Sequence, residues 1–170
     1  KPWDLQQLTH VNDAALGGLR LSEVEQIDYQ SSNSMKVQGW VVKPPGFDPS
    51  KKYPLIMEIH GGPWAMYGVG FNPSVQNFAA MGFLVVYVNP RGSTGYGTAF
   101  GHPLDTAYPA AAYDDLRAGV NQTIVRGSVD TPRMVRGGCR AGGEVADCVA
   151  APPDRWAAAC RPGTVSPDHS

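Results

Sequence analysis

Three glycine-containing turns, each placed at the end of a predicted strand, hold the residues of this chain that could do chemistry. They are 60–63 (His-Gly-Gly-Pro), 89–93 (Asn-Pro-Arg-Gly-Ser) and 137–143 (Gly-Gly-Cys-Arg-Ala-Gly-Gly). In open α/β sheets, active sites form beyond the carboxyl ends of the strands. The pattern therefore predicts one site that is assembled from three strand ends.

The first turn predicts an oxyanion-binding site. Because Gly61 and Gly62 carry no side chains, their backbone N–H groups can face a developing negative charge. Taken alone, the motif fits a plain glycine turn equally well. We expect His60 to order this turn rather than to act as a base.

The third turn is typical of a nucleophile elbow, G-x-S-x-G, but the serine is missing. In the register Gly138–Gly142 the central residue is Arg140, which cannot be deprotonated and cannot attack. One residue earlier, the central residue is Cys139, which becomes a competent nucleophile when its pKa is lowered. A structural loop is the alternative to both.

The elements that would position these turns alternate between strands and helices. Apolar runs over 55–59 and 83–88 predict two adjacent, parallel, buried strands, and 24–29 with 37–42 predict a hairpin. Met134 and Val135 predict a short, weak strand. This order predicts an α/β fold with a mostly parallel sheet that is covered on both faces.

Two helices are expected to cover the sheet. The first spans 74–81, with Ser74 as its N-cap. The second spans 113–126, with an apolar stripe at four-residue spacing and Asp114 and Asp115 in its first turn. A third helix over 143–151 is possible.

Composition narrows the functional classes. The 14 Lys and Arg residues balance 15 Asp and Glu residues, which argues against a nucleic-acid binder. No apolar run approaches the ~18 residues of a membrane span, no signal peptide is recognised, and the compartment stays undetermined. The three cysteines match no disulfide or zinc pattern, and we expect no metal and no cofactor.

Several motifs together carry a resemblance to a known family. They are 43–47 (Lys-Pro-Pro-Gly-Phe), 53–54 (Tyr-Pro), 60–63 (His-Gly-Gly-Pro) and 88–97 (Val-Asn-Pro-Arg-Gly-Ser-Thr-Gly-Tyr-Gly). The sequence resembles the catalytic domain of the prolyl oligopeptidase family of serine peptidases, above all its acylaminoacyl-peptidase and dipeptidyl-aminopeptidase branch. The resemblance implies the N-terminal half of a doubly wound α/β-hydrolase sheet over 21–160. It also makes 1–20 the end of a preceding β-propeller and leaves 161–170 as an irregular tail.

The resemblance implies hydrolysis of peptide, amide or ester bonds. In the family, an elbow serine attacks, a histidine takes its proton and an aspartate orients the histidine. Gly62 matches the first oxyanion donor, and the residue after the nucleophile is the second. That residue is Ala141 when Arg140 is central and Arg140 when Cys139 is central. Arg91 matches an arginine that braces the site.

The departures from the family pattern are severe. A gapless count from Arg133 places Arg140 at the serine position, whereas the Cys139 register needs a one-residue deletion. Arg136 puts a charge on the preceding strand, where a buried apolar residue belongs. Asp168 and His169 follow no family motif, and the family's own aspartate and histidine lie farther downstream. A frame disturbance in a GC-rich coding sequence would explain both the elbow and the tail.

The sequence therefore leaves two functions open. One is a peptidase or esterase relative that retains at most weak esterase activity on peptide-like or ester substrates. The other is an inactive folded module. Because at most one strand, near 156–159, follows the elbow, we expect an open sheet edge that favours self-association.

Overall fold

The computed structural model describes residues 6–62, 64–101, 110–138, 142–143, 146 and 156–160. Within them the strands are β1 (Val24–Gln30), β2 (Lys36–Val42), β3 (Tyr53–Ile59), β4 (Leu84–Asn89), β5 (Val129–Gly138) and β6 (Ala158–Cys160). The helices are α1 (Asp13–Leu16), α2 (Pro73–Ala80), α3 (Thr98–Gly101) and α4 (Ala110–Ile124), and Ser32–Ser34 forms a 3₁₀ turn.

The strands form one six-stranded sheet in the order β1-β2-β4-β3-β5-β6. The expected hairpin is present as antiparallel β1 and β2, and β2 also pairs antiparallel with β4. The other neighbours, β4 with β3, β3 with β5 and β5 with β6, are parallel. This arrangement confirms a partial α/β fold with a mostly parallel sheet, and it places the carboxyl ends of β3, β4 and β5 at one edge.

Helices cover the two faces of the sheet, as continuous apolar strands require. Leu116 and Val120 of α4 are fully buried against one face, together with Leu55 and Val86. On the other face, α2 packs against the sheet around Val85. The predicted core of β3 and β4 is therefore confirmed.

Both predicted helices begin earlier than expected. The N-cap of α2 is Asn72, not Ser74: the Asn72 side chain accepts the N–H groups of Ser74 and Val75, and Pro73 occupies the first helical turn. Helix α4 begins at Ala110, so its first turn contains no acidic residue, and the expectation for Asp114 and Asp115 was wrong.

Strand β5 is longer than the weak strand that Met134 and Val135 predicted. Pairing with β3 on one side and β6 on the other extends it to ten residues, because ladder hydrogen bonds and burial outweigh its modest local propensity. Arg136 is buried, as expected, and its guanidinium carbon lies 5.5 Å from the centre of the Trp156 ring. Of the possible helix over 143–151, Gly143 and Ala146 are helical and the rest lies outside the described residues.

The described residues contain no helix that is both long and apolar enough for a bilayer. Nor do they bring together three or more His, Cys, Asp or Glu side chains in an arrangement that would hold a metal ion.

Candidate functional site at the strand ends

The turns after β3 and β5 line a common cavity of about 510 Å³. His60 and Gly61 border it from the β3 side, and Gly137 and Gly138 border it from the β5 side. Glu58 is the acidic residue of the lining, and burial raises the pKa of its carboxyl group. The cavity is a cleft at the edge where the strand ends meet, and its surface is largely apolar.

His60 connects the turn after β3 to the turn after β4. Its Nε2 lies 3.0 Å from Ser93 Oγ, and the Ser93 hydroxyl donates to the Pro90 carbonyl at 2.7 Å. A neutral imidazole has one N–H, so His60 donates either from Nε2 to the Ser93 oxygen or from Nδ1 to the Gly61 carbonyl, and not from both. Burial lowers the pKa of His60, although a 3.2 Å contact of Nδ1 with the Gly61 carbonyl opposes the shift.

Gly62 has a backbone conformation that suits glycine. Its φ is +155°, and a Cβ atom there would lie 2.7 Å from the backbone nitrogen of Trp64. No side chain fits in this place, so the sequence needs glycine for the turn to form. Pro63 lies outside the described residues.

Asn89, which ends β4, belongs to the 89–93 turn motif, but the sequence analysis assigned it no role. The side chain is fully buried and accepts the N–H of Tyr67 at 2.7 Å. Its amide nitrogen donates to the Tyr67 carbonyl at 3.0 Å and to the Tyr96 hydroxyl at 2.7 Å. The available signal was a polar residue at the end of an otherwise apolar strand, which must find partners when buried.

Arg91 pairs with Asp115 in the interior. Its Nη2 and Nε atoms donate to the two carboxylate oxygens at 2.8 Å and 3.0 Å, and its backbone N–H donates to Asp115 at 2.7 Å. Both side chains are almost fully buried. Nη2 also donates to Ser32 and to the carbonyl of Ala111. The turn after β4 is therefore fastened to α4.

The turn after β5 is held by backbone contacts. A Cβ atom on Gly138 would lie 2.4 Å from the carbonyl oxygen of Gly142, and one on Gly142 would lie 2.5 Å from the carbonyl oxygen of Ile59. Gly137, by contrast, has room, since its nearest neighbour would be 3.9 Å away. Gly138 and Gly142 are thus in close backbone contact, and Gly142 packs onto the end of β3.

The structure brings His60, Gly62 and Arg91 to one edge of the sheet, next to the glycines that flank the predicted elbow. Cys139, Arg140 and Ala141 lie outside the described residues, as do His102, Cys148, Asp168 and His169. Cys160 is described and exposed on β6.

Comparison with known proteins shows the family. A family model described as the prolyl oligopeptidase family matches residues 69–165, more than half of the chain. An uncharacterized peptidase of Bacillus subtilis, YuxL, is 35% identical over 95% of this chain, and dipeptidyl-peptidase 5 of Schizosaccharomyces pombe is 37% identical over 74% of it. The acylaminoacyl peptidase of Pyrococcus horikoshii superimposes on 91% of the chain with a TM-score of 0.83 at 29% identity.

The matched part is a small share of each of these proteins. The chain spans 25% of YuxL, 19% of the dipeptidyl-peptidase and 25% of the acylaminoacyl peptidase chain. The strand-end turns, the parallel sheet and the family match agree with one another: the chain belongs to the prolyl oligopeptidase family of serine peptidases.

Proposed function

We propose that this chain retains the acyl-oxygen-binding half of a peptidase or esterase site and that Arg140 occupies the position of the nucleophile. The proposed substrates are peptides or esters, in keeping with the peptidase names of its relatives. The proposed oxyanion donors are the N–H groups of Gly62 and Ala141. The proposal rests on the close backbone packing of Gly138 and Gly142.

Those two glycines support one elbow register over the other. An elbow needs small residues two positions before and two positions after its apex, because the backbone turns back on itself there. Gly138 and Gly142 have no space for a side chain, and their midpoint is position 140. The Cys139 register would instead flank the apex with Gly137 and Ala141, yet Gly137 has space for a side chain.

An arginine at the apex removes covalent catalysis. The guanidinium group is always protonated and has no lone pair with which to attack an acyl carbon. Enzymes that lose a member of their triad keep a rate roughly 10³–10⁴-fold above that in water, from the oxyanion hole and substrate binding. We therefore expect slow hydrolysis of activated esters at most, and no measurable cleavage of peptides.

The Cys139 register predicts a different kinetic signature. The Cys139 thiolate would attack the acyl carbon of p-nitrophenyl acetate, forming the S–C bond while the C–O bond breaks and p-nitrophenolate leaves. Water would then have to hydrolyse the acetyl thioester without a matched general base. Acylation would be followed by slow deacylation, and one equivalent of p-nitrophenolate would be released in a burst.

Stopped-flow release of p-nitrophenolate distinguishes the two registers. With Arg140 at the apex, we expect linear release that is unchanged by iodoacetamide and by Cys139→Ser. Cys160→Ser, at a cysteine that lines the same cavity, shows whether a burst comes from that thiol instead. A burst of about one equivalent that Cys139→Ser abolishes and Cys160→Ser preserves would overturn the Arg140 assignment. Release no faster than with heat-unfolded protein would overturn the oxyanion site itself.

A non-catalytic, self-associating module is the second candidate. Strand β6 is the last strand of the described sheet on its side, and Ala158–Cys160 are all exposed. An exposed edge strand offers unpaired N–H and C=O groups to another chain. We expect concentration-dependent association by light scattering, which Ala158→Lys should weaken; a monodisperse monomer at high concentration would contradict it.

The segment before residue 21 is proposed to come from a preceding domain. Leu8 and Val11 are 88% and 83% exposed, which is unusual for large apolar side chains that lie close together in the chain. Residues 161–170 are proposed to be a tail outside the hydrolase domain. Limited proteolysis should cut both segments first and leave a core close to 21–160.

A further inference from the structure

Asn89 holds the segment that follows the oxyanion turn. Its side-chain amide pairs with both backbone groups of Tyr67, accepting from the N–H and donating to the C=O. This two-bond pattern imitates the way a neighbouring strand pairs with a residue. The second amide hydrogen donates to the Tyr96 hydroxyl, which in turn donates to Gln38. The buried Asn89 amide is therefore satisfied by Tyr67 together with Tyr96.

Tyr67, which is held by Asn89, also contacts the oxyanion turn. Its ring meets the His60 ring edge to face, with centroids 5.1 Å apart, and it also packs against Tyr87 at 4.9 Å. A third link between the two turns is the hydrogen bond from the Thr94 N–H to the Ala65 carbonyl at 3.1 Å. The loop is thus attached to the end of β4 shortly after the glycines.

Gly62 lies between these attachments. On its N-terminal side, His60 is hydrogen-bonded to Ser93. On its C-terminal side, Tyr67 is hydrogen-bonded to the end of β4, and Ala65 is hydrogen-bonded to the turn after it. Gly62 itself has no side chain, so it can contribute no side-chain contact of its own. The segment that contains Gly62 is therefore held by hydrogen bonds on both of its sides.

We propose that Asn89 is a positioning residue that fixes the orientation of the Gly62 N–H through Tyr67 and His60. The inference rests on the proposed function in so far as Gly62 is an oxyanion donor. It adds a residue that touches no substrate and acts through the loop. Misplacing a donor by about 1 Å reduces catalysis on the order of 10²-fold, and removing one costs about 10²–10³-fold.

Asn89→Asp tests the proposal with almost no change of shape. The carboxylate can still accept the Tyr67 N–H, but it cannot donate to the Tyr67 carbonyl or to Tyr96. Tyr96→Phe is a milder second variant that removes one partner of Asn89 and keeps both bonds to Tyr67. Asn121→Asp, on the exposed face of α4, makes the same chemical change away from the turns and serves as the control.

The first readout is the ¹H–¹⁵N spectrum of the chain at a temperature at which every variant is folded. We expect Asn89→Asp to shift the amide signal of Gly62 and the ring ¹⁵N signals of His60. It should also raise the hydrogen-exchange rate of the Gly62 amide at least about tenfold. Tyr96→Phe should shift the same signals less, and Asn121→Asp should leave them in place. Unchanged Gly62 and His60 signals beside a shifted Tyr67 amide would overturn the proposal, as would shifts spread evenly over the sheet.

The second readout separates this inference from the proposed function. If the wild-type chain releases p-nitrophenolate, Asn89→Asp should lower the rate about 10–100-fold while Asn121→Asp leaves it unchanged. An unchanged rate beside a displaced Gly62 signal would show that Gly62 is not the donor, and the proposed function would fail while the positioning role stood. If Asn89→Asp fails to fold, the Tyr96→Phe spectrum decides the positioning role alone.

Discussion

The turns after β4 and β5 lie on opposite sides of the end of β3 and are built in opposite ways. After β4, buried side chains hold the turn: Asn89 fastens the neighbouring loop, and Arg91 is paired with Asp115 of α4. After β5, the glycines of the turn are in close backbone contact. There the backbone of Gly138 lies against Gly142, and Gly142 lies against Ile59.

Under the proposed Arg140 register, this difference explains how the nucleophile could change without loss of the surrounding turns. A turn held by side chains depends on the identity of each residue in the network. A turn held by glycines depends only on the absence of side chains at its flanks, and the residue between them is free to change. Arg140 at the proposed apex is therefore compatible with an intact fold, whereas a change at Arg91 is expected to destabilise it.

The largest effect is expected from breaking the buried ion pair after β4. Arg91→Met leaves the Asp115 carboxylate buried without its cation, and we expect the free energy of unfolding to fall by about 3–5 kcal/mol. Urea denaturation measures the change. The double variant Arg91→Met with Asp115→Leu should recover part of the loss, because both charges are then absent; a loss below about 1 kcal/mol in the single variant would contradict the structural role.

The next effect concerns the glycines after β5. In Gly142→Ala, the new Cβ atom would lie 2.5 Å from the Ile59 carbonyl oxygen, and we expect the free energy of unfolding to fall by about 1–3 kcal/mol. Gly137→Ala is the matched control, since its nearest neighbour would be 3.9 Å away, and it should stay within about 0.5 kcal/mol. Equal effects at the two positions would remove the structural support for an apex at 140.

A smaller effect links stability to pH through His60. Burial lowers the pKa of His60 in the folded state, so the unfolded chain takes up the proton first as the pH falls. Between the ordinary pKa of about 6.5 and the lowered folded value, the unfolding free energy should decrease with falling pH, by at most about 1.4 kcal/mol per pH unit.

Urea titrations at several pH values between about 7.5 and 5 measure this slope. His60→Phe should flatten this slope. A slope that survives in His60→Phe would assign the pH dependence to another group.

The smallest expected effect is at the apex itself. If glycines alone shape the elbow, Arg140→Ser should change the free energy of unfolding by less than about 0.5 kcal/mol. Thermal denaturation of the two proteins side by side is a sufficient measurement. A change of several kcal/mol in either direction would show that the arginine takes part in the fold.

Sequence patterns predicted the central strands of the molecule correctly but misplaced the ends of several helices and strands. The apolar runs identified β3 and β4 and their parallel pairing, because a strand buried on both faces needs apolar residues throughout. The N-cap of α2 was missed by two residues, since Asn72 and Ser74 are both good caps and only the side-chain geometry separates them. The length of β5 was missed because its pairing partners, not its own propensity, extend it.

The sequence predicted the motifs of the candidate site but not the hydrogen bonds that hold its turns together. Gly62 and His60 were identified from the glycine turn that follows a buried strand. The hydrogen bonds between the Asn89 side chain and the Tyr67 backbone join residues that are 22 positions apart, and no local pattern predicts that pairing. The pair of Arg91 with Asp115 was missed as well, because the sequence analysis placed Asp115 in the first turn of its helix and assigned it no partner.

By itself, the sequence of this protein determined the kind of sheet, the three strand-end turns and the family. Buried strands appear in a sequence as apolar runs, and turns appear as local glycine motifs, so both can be recognised without the structure. Only the tertiary structure decided which polar groups meet across the turns and which glycines have no room for a side chain. Hydrogen bonds and backbone contacts of that kind depend on distances between residues far apart in the chain, and those distances exist only once the sheet has formed.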